Sequence, residues 1–93
     1  SLTDELVIRF LADNPSTTIA LSLDRAQTVE IAIYDAQGRL VRTLFDGALS
    51  AGRNEIRWDG RDNKGLATAS GVYFSRATGE DGSARSQRMM LVK

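Results

Sequence analysis

The sequence contains neither cysteine nor histidine. That inventory excludes Ser–His and Cys–His nucleophiles, thiolate and imidazole metal ligation, and any disulfide staple. A chain of 93 residues can bury roughly two-thirds of the surface its unfolded form exposes, so it needs no staple and the missing cysteine leaves the compartment open. Proline occurs once, at Pro15, and lysine twice, at Lys64 and Lys93, beside ten arginines. Neither sign of charge prevails: twelve bases balance twelve acids, with no block of like charge. Nucleic acid and anionic membrane surfaces are therefore not expected as partners. The longest apolar run is about four residues, as in Met89-Met90-Leu91-Val92, against the ~20 that a spanning helix requires, so no membrane insertion is expected. The start, Ser1-Leu2-Thr3-Asp4-Glu5, has no Met and no basic n-region, and Arg9 interrupts Leu6 to Leu11. No signal-peptide pattern is present, and residues 1–93 read as a single domain taken from the C-terminal part of a larger protein.

What the sequence does have is alternation. Leu6 to Leu11 is β-prone and ends at the breaker Ala12-Asp13-Asn14-Pro15-Ser16, where Pro15 cannot donate to a ladder and Asn14 is pushed into an extended conformation. Thr17 to Leu23 turns Ile19, Leu21 and Leu23 to one face, and Thr28 to Tyr34 does the same with Val29, Ile31 and Ile33. Asp35-Ala36-Gln37-Gly38 is a turn, with Asp35 able to accept from the backbone ahead of it and Gly38 able to take positive φ. Arg39 to Phe45 makes a fourth strand of undecided inward face, with Arg42 guarding a sheet edge. Asp46-Gly47 opens a loop that delivers Arg53 to Trp58, with Asn54, Ile56 and Trp58 on one face. Gly71 to Thr78 follows, with Arg76 on one face and hence Tyr73, Ser75 and Ala77 inward. A turn at Gly79-Glu80-Asp81-Gly82-Ser83 leads into Arg85 to Val92. Seven strands at this rhythm, with no amphipathic helix, predict an all-β, seven-stranded antiparallel immunoglobulin-like β-sandwich.

The stretch from Ile56 to Phe74 holds the only tryptophan, Trp58, and a compact loop of glycines and aspartates. With His and Cys absent, its carboxylates Asp59 and Asp62 are the one catalytic option, and a tight turn on a domain this small offers them little cleft. A calcium-loop count from Asp59 fails where Arg61 and Ser70 fall on required ligand positions. Asp62 and Gly65 instead fit the first and fourth places of a type I turn, with Gly60 relieving a strained φ, while an irregular calcium site of carboxylates and carbonyls stays open. The aromatics Phe10, Tyr34, Phe45, Trp58, Tyr73 and Phe74 would make a sugar platform only if two or three lay coplanar and exposed; core packing accounts for them more simply.

Five motifs in order carry a resemblance: Asn14-Pro15-Ser16-Thr17-Thr18-Ile19; Tyr34-Asp35 with Gly38-Arg39; Trp58-Asp59-Gly60-Arg61-Asp62 with Gly65; Ser70-Gly71-Val72-Tyr73; and the apolar end Leu91-Val92-Lys93. Together they resemble the immunoglobulin-like C-terminal sorting modules of bacterial secreted proteins, which in turn resemble the immunoglobulin-like domain of the flagellar hook-capping protein. The resemblance implies a non-catalytic sorting and anchoring module of a secreted or cell-surface protein, with no cofactor. Its expected partners are an upstream passenger domain and a type IX-like secretion machinery or other cell-surface components. That machinery would read Arg88, Met89, Met90, Leu91, Val92 and Lys93. The alternatives are a structural assembly domain like that of the hook cap and a carbohydrate-binding accessory domain.

Overall fold

A computed structural model describes residues 8–10, for which only the backbone is considered, and residues 18–92. Asn14, Pro15 and Lys93, singled out in the sequence, lie outside these residues. The elements in order are β1 (Ile8–Phe10), β2 (Thr18–Leu23), β3 (Gln27–Asp35), β4 (Leu40–Leu49), β5 (Gly52–Arg57), β6 (Gly71–Gly79) and β7 (Ala84–Leu91). Among the described residues there is no helix; six strands have six residues or more, and β1 has three. They form two antiparallel sheets, β1-β2-β5 and β4-β3-β6-β7, in an immunoglobulin-like arrangement.

The alternation read from the sequence places the core. Ile19, Leu21 and Leu23 of β2 meet Val29, Ile31 and Ile33 of β3, with Trp58, Tyr73, Ala77 and Leu91 completing the cluster. Each large aliphatic buried here contributes about 1.5–3 kcal/mol relative to exposure. Ala20 and Ala32 point outward yet are also buried. A methyl group in a central strand is shaded by longer neighbours in register, Glu55 beside Ala20 and Thr43 and Arg76 beside Ala32.

β4 departs from expectation. It does not stop at Phe45 but continues through Asp46-Gly47 to Leu49, pairing with the start of β3 as far as Gln27↔Leu49. Gly47 lies within the strand rather than in a turn, and the Phe45 ring stands 3.4 Å from where its Cβ would be, an ordinary van der Waals contact. The register against β3 also shifts twice, between Ile31 and Ala32 and between Ile33 and Tyr34. These bulges let Val41, Leu44 and Phe45, which differ in parity, all pack against the core. That is why strict alternation could not decide the inward face of this strand.

Three turns share one construction. Gly38, Gly65 and Gly82 donate to Asp35 O, Asp62 O and Gly79 O, while Asp35, Asp62 and Gly79 donate to Arg39 O, Leu66 O and Ser83 O. The three donor glycines have φ of 85°, 81° and 85°, the left-handed position of a three-residue hairpin loop. The turns at Asp35 and Asp62 lie at one end of the sandwich, with the central loop. The corner at Ser50-Ala51 and the turn at Gly79 lie at the other, where Ile8 pairs with Leu23. The described chain thus enters at one end and, with Leu91 paired to Gly71, leaves at the opposite one; the long dimension is 42 Å.

Candidate functional site

The central loop, from Trp58 to Ser70, is built around two aromatic anchors. Trp58 is fully buried and meets Tyr73 edge-on, ring centres 5.1 Å apart at 71°. Its indole N–H donates to Arg61 O at 3.0 Å, and the Tyr73 hydroxyl donates to Ala69 O at 2.6 Å, four residues back. The second bond is the tyrosine corner found at the sixth strand of immunoglobulin-like sandwiches. With Trp58 enclosed and Tyr73 at its edge, these two rings form no exposed platform.

The loop's carboxylates are spent on the loop itself. Asp62 Oδ1 accepts from the N–H groups of Lys64 and Leu66, at 2.9 and 3.0 Å. Asp59 Oδ1 accepts from the Arg61 N–H and from Arg42 Nη1, both at 3.0 Å. Gly60, at φ 76°, presents its carbonyl to both the N–H and the hydroxyl of Thr68. The loop is then roofed onto β4: Asn63 N–H donates to Val41 O, and Asn63 Oδ1 accepts the Thr43 N–H at 2.9 Å. Arg42, read as guarding a sheet edge, stands on the edge strand β4 and also pins this loop from a half-buried position.

Beside the loop, an open depression of about 570 Å³ separates the Asp35 and Asp62 turns, with Leu40, Val41, Leu66 and Tyr73 in its lining. It is more of a cleft than the sequence suggested. Asp62 lines it but Asp59 does not, so it does not unite the two acids read as a catalytic option. At its other side Asp35 Oδ1 accepts from Gln37 N–H and Arg39 N–H, and Oδ2 pairs with Arg39 Nε at 2.9 Å. The Arg39 N–H chiefly, helped by the Arg39 guanidinium and the Gln37 N–H and opposed by partial burial, holds the Asp35 carboxyl below its ordinary value of 3.8. Among the described residues no three acidic side chains gather as a metal cluster.

Gly38, Trp58, Asp59, Gly60, Asp62, Gly65, Gly71 and Tyr73 are thus brought together at one end of the sandwich as parts of its turns and anchors. The stretch from Arg88 to Val92 is different in kind. It is no detachable tail: Met89 packs against the core, Leu91 is 3% exposed within it, and Arg88, Met90 and Val92 face solvent. On the outward face of the larger sheet the register aligns Leu40, Tyr34, Phe74 and Arg88 across its four strands, with Val72 beside Met90. Tyr34 and Phe74, expected with the other aromatics in the core, instead stand half-buried side by side on this outward face, outside the core cluster. Only the register shows them to be neighbours.

Comparison with known proteins agrees with this architecture. The family model described as FlgD Ig-like domain matches residues 8–83, ending in the turn before β7. The basal-body rod modification proteins FlgD of Salmonella typhimurium and Salmonella typhi are each 39% identical over 57 residues, covering 61% of this chain and 25% of theirs. The chain thus spans about a quarter of the length of these relatives. Among solved structures, FlgD from P. aeruginosa superposes with a TM-score of 0.66 at 24% identity, over 90% of this chain and 65% of that one. PorZ, described as an essential bacterial surface component of the type-IX secretion system of Porphyromonas gingivalis, superposes with a TM-score of 0.55 at 19% identity. It covers 98% of this chain and 12% of that one. At such identities the two superpositions speak for the fold alone.

Proposed function

The chain belongs to the FlgD Ig-like domain family, and on that premise we propose that it serves as a non-catalytic structural assembly domain of a larger bacterial protein, as a hook-cap scaffold would require. The observation that carries this reading is the family match over residues 8–83. The geometry is consistent with it, because the loop carboxylates are committed to backbone N–H groups and to Arg42 and the central loop is closed by its own bonds. This reading takes precedence over the sorting and anchoring module, which becomes the second reading. The likeness to PorZ supplies that second reading with a shared fold and nothing further. A secreted or cell-surface location, an upstream passenger and a secretion machinery as partner belong to the same proposal.

The test is deletion of this domain from the full-length protein in its source organism, followed by export and assembly together. The assembly reading expects the shortened protein to be exported and to fail in forming its higher-order structure. Retention of a stable, folded passenger inside the cell would instead favour sorting. Export with normal assembly would overturn both.

A further inference from the structure

The outward face of the larger sheet changes character along its strands. Toward the central loop it is apolar: Tyr34 and Phe74 form one row, Leu40 flanks them at 53% exposed, and Val72 lies beside Met90 at 44%. Toward the Gly79 turn it is charged. Glu30 stands directly opposite Asp46 across β3 and β4, and Arg76, opposite Ala32, occupies the row between these acids and the aromatics. Like charges set in register repel and cost stability. Among the described residues the ion pairs join Arg39 to Asp35, Arg42 to Asp59 and Arg53 to Glu55, and none engages Glu30, Asp46 or Arg76. Within one chain Arg76 lies diagonally from Glu30 and makes no ion pair with it.

Whatever covers this face must bring apolar side chains to the aromatic row and a base to the acids two rows away. The same face of a second copy brings both. A two-fold axis running along the strands, between β3 and β6, lays each β3 over the other copy's β6 and keeps every row at its own level. Tyr34 then meets the other copy's Phe74. Glu30 falls in one column with the other copy's Arg76, ~7 Å along the strand and within reach of its long side chain. The axis repeats the contact, so two glutamates and two arginines alternate around it. Four strands at ~4.8 Å and nine residues at ~3.4 Å make a face of about 19 by 30 Å. Packed sheet on sheet it buries about 1,100 Å² in total, enough for a specific interface.

We propose that the outward face of the larger sheet is a two-fold interface between copies of this domain, with Tyr34 against the other copy's Phe74 at its apolar end and Glu30 paired to the other copy's Arg76. The inference rests on the assembly reading and names the surface and the partner. The apolar row supplies the affinity, and the charges fix the register and exclude faces that lack them.

The test follows the 93-residue chain by sedimentation equilibrium from micromolar to millimolar concentration, with amide NMR spectra over the same series. Its mass rises toward that of two copies, and the signals that move with dilution belong to β3 and β6 around Tyr34 and Phe74. Glu30→Arg alone and Arg76→Glu alone each weaken association about ten-fold or more, since one sets Arg against Arg and the other Glu against Glu. Mixed one to one, the two variants restore it, because each copy supplies the charge that the other lacks. If either variant loses its native spectrum, the dilution shifts of the unaltered chain decide alone. A chain that stays monomeric at millimolar concentration, shifts confined to other strands, or a mixture that associates no better than its parts would overturn the proposal. A monomer would do so without touching the assembly reading, which the deletion experiment decides separately.

Discussion

Each residue that shapes the central loop holds a backbone group that would otherwise be stranded. Asp62 accepts two N–H groups with one oxygen, and Gly65 turns the chain at φ 81° with nothing within 4 Å of where a Cβ would stand. Space is therefore no obstacle at Gly65 and conformation is the whole cost. Gly65→Ala should lower stability by about 1–2 kcal/mol, the penalty of an L-residue in the left-handed region, and Gly65→Asn by less. Equal urea midpoints for wild type and Gly65→Ala would show that the turn relaxes freely. Asp35 gives a second expectation, with its sign fixed by the direction of its shift. Its carboxyl is held below 3.8 in the folded chain, so the contribution is present above the unfolded value and is lost as pH falls through the folded one. The stability advantage of wild type over Asp35→Asn, measured by denaturation at several pH values, should shrink as the pH drops below 3.8. An advantage unchanged down to about pH 2 would contradict the pairing.

At the scale of elements, β7 shows that one strand does two jobs on its two faces. Leu91 closes the core at 3% exposed while Met90 stands at 44%. Leu91→Ala should cost about 2–5 kcal/mol and Met90→Ala little, as read from thermal or urea unfolding. A truncation after Arg88 removes Leu91 and leaves Gly71 to Tyr73 without their partners, so it tests folding before it tests recognition. Point changes at Arg88, Met90 or Val92 separate the two.

Elements were also where the sequence was readable to different depths. β2 and β3 announce themselves because unbroken alternation of Ile, Leu and Val leaves one inward face, and Tyr73 followed from the charge at Arg76. β4 hid because its two bulges reset the parity, and because Asp46-Gly47, a frequent turn pair, here continues the strand. The turn chemistry of Asp35, Asp62 and Gly82 was local and therefore visible. The row Leu40, Tyr34, Phe74 and Arg88 depends on which strands lie side by side. No single strand encodes that.

At the scale of the molecule, the described chain enters beside Leu23 and leaves beside Gly71, at opposite ends of a body 42 Å long. β1 and β7 therefore run in the same direction, one on each sheet. If neighbouring parts of a larger protein tug on this domain, the pull acts lengthwise along both strands, and their ladders must slide and break together rather than unzip bond by bond. Single-molecule stretching across residues 8 and 91 should meet markedly higher rupture forces than stretching across residues 35 and 91, which share one end, because forced unfolding reports the unfolding rate along the pulled direction. Similar forces for both attachments would show that the direction of the strands does not govern how the sandwich yields.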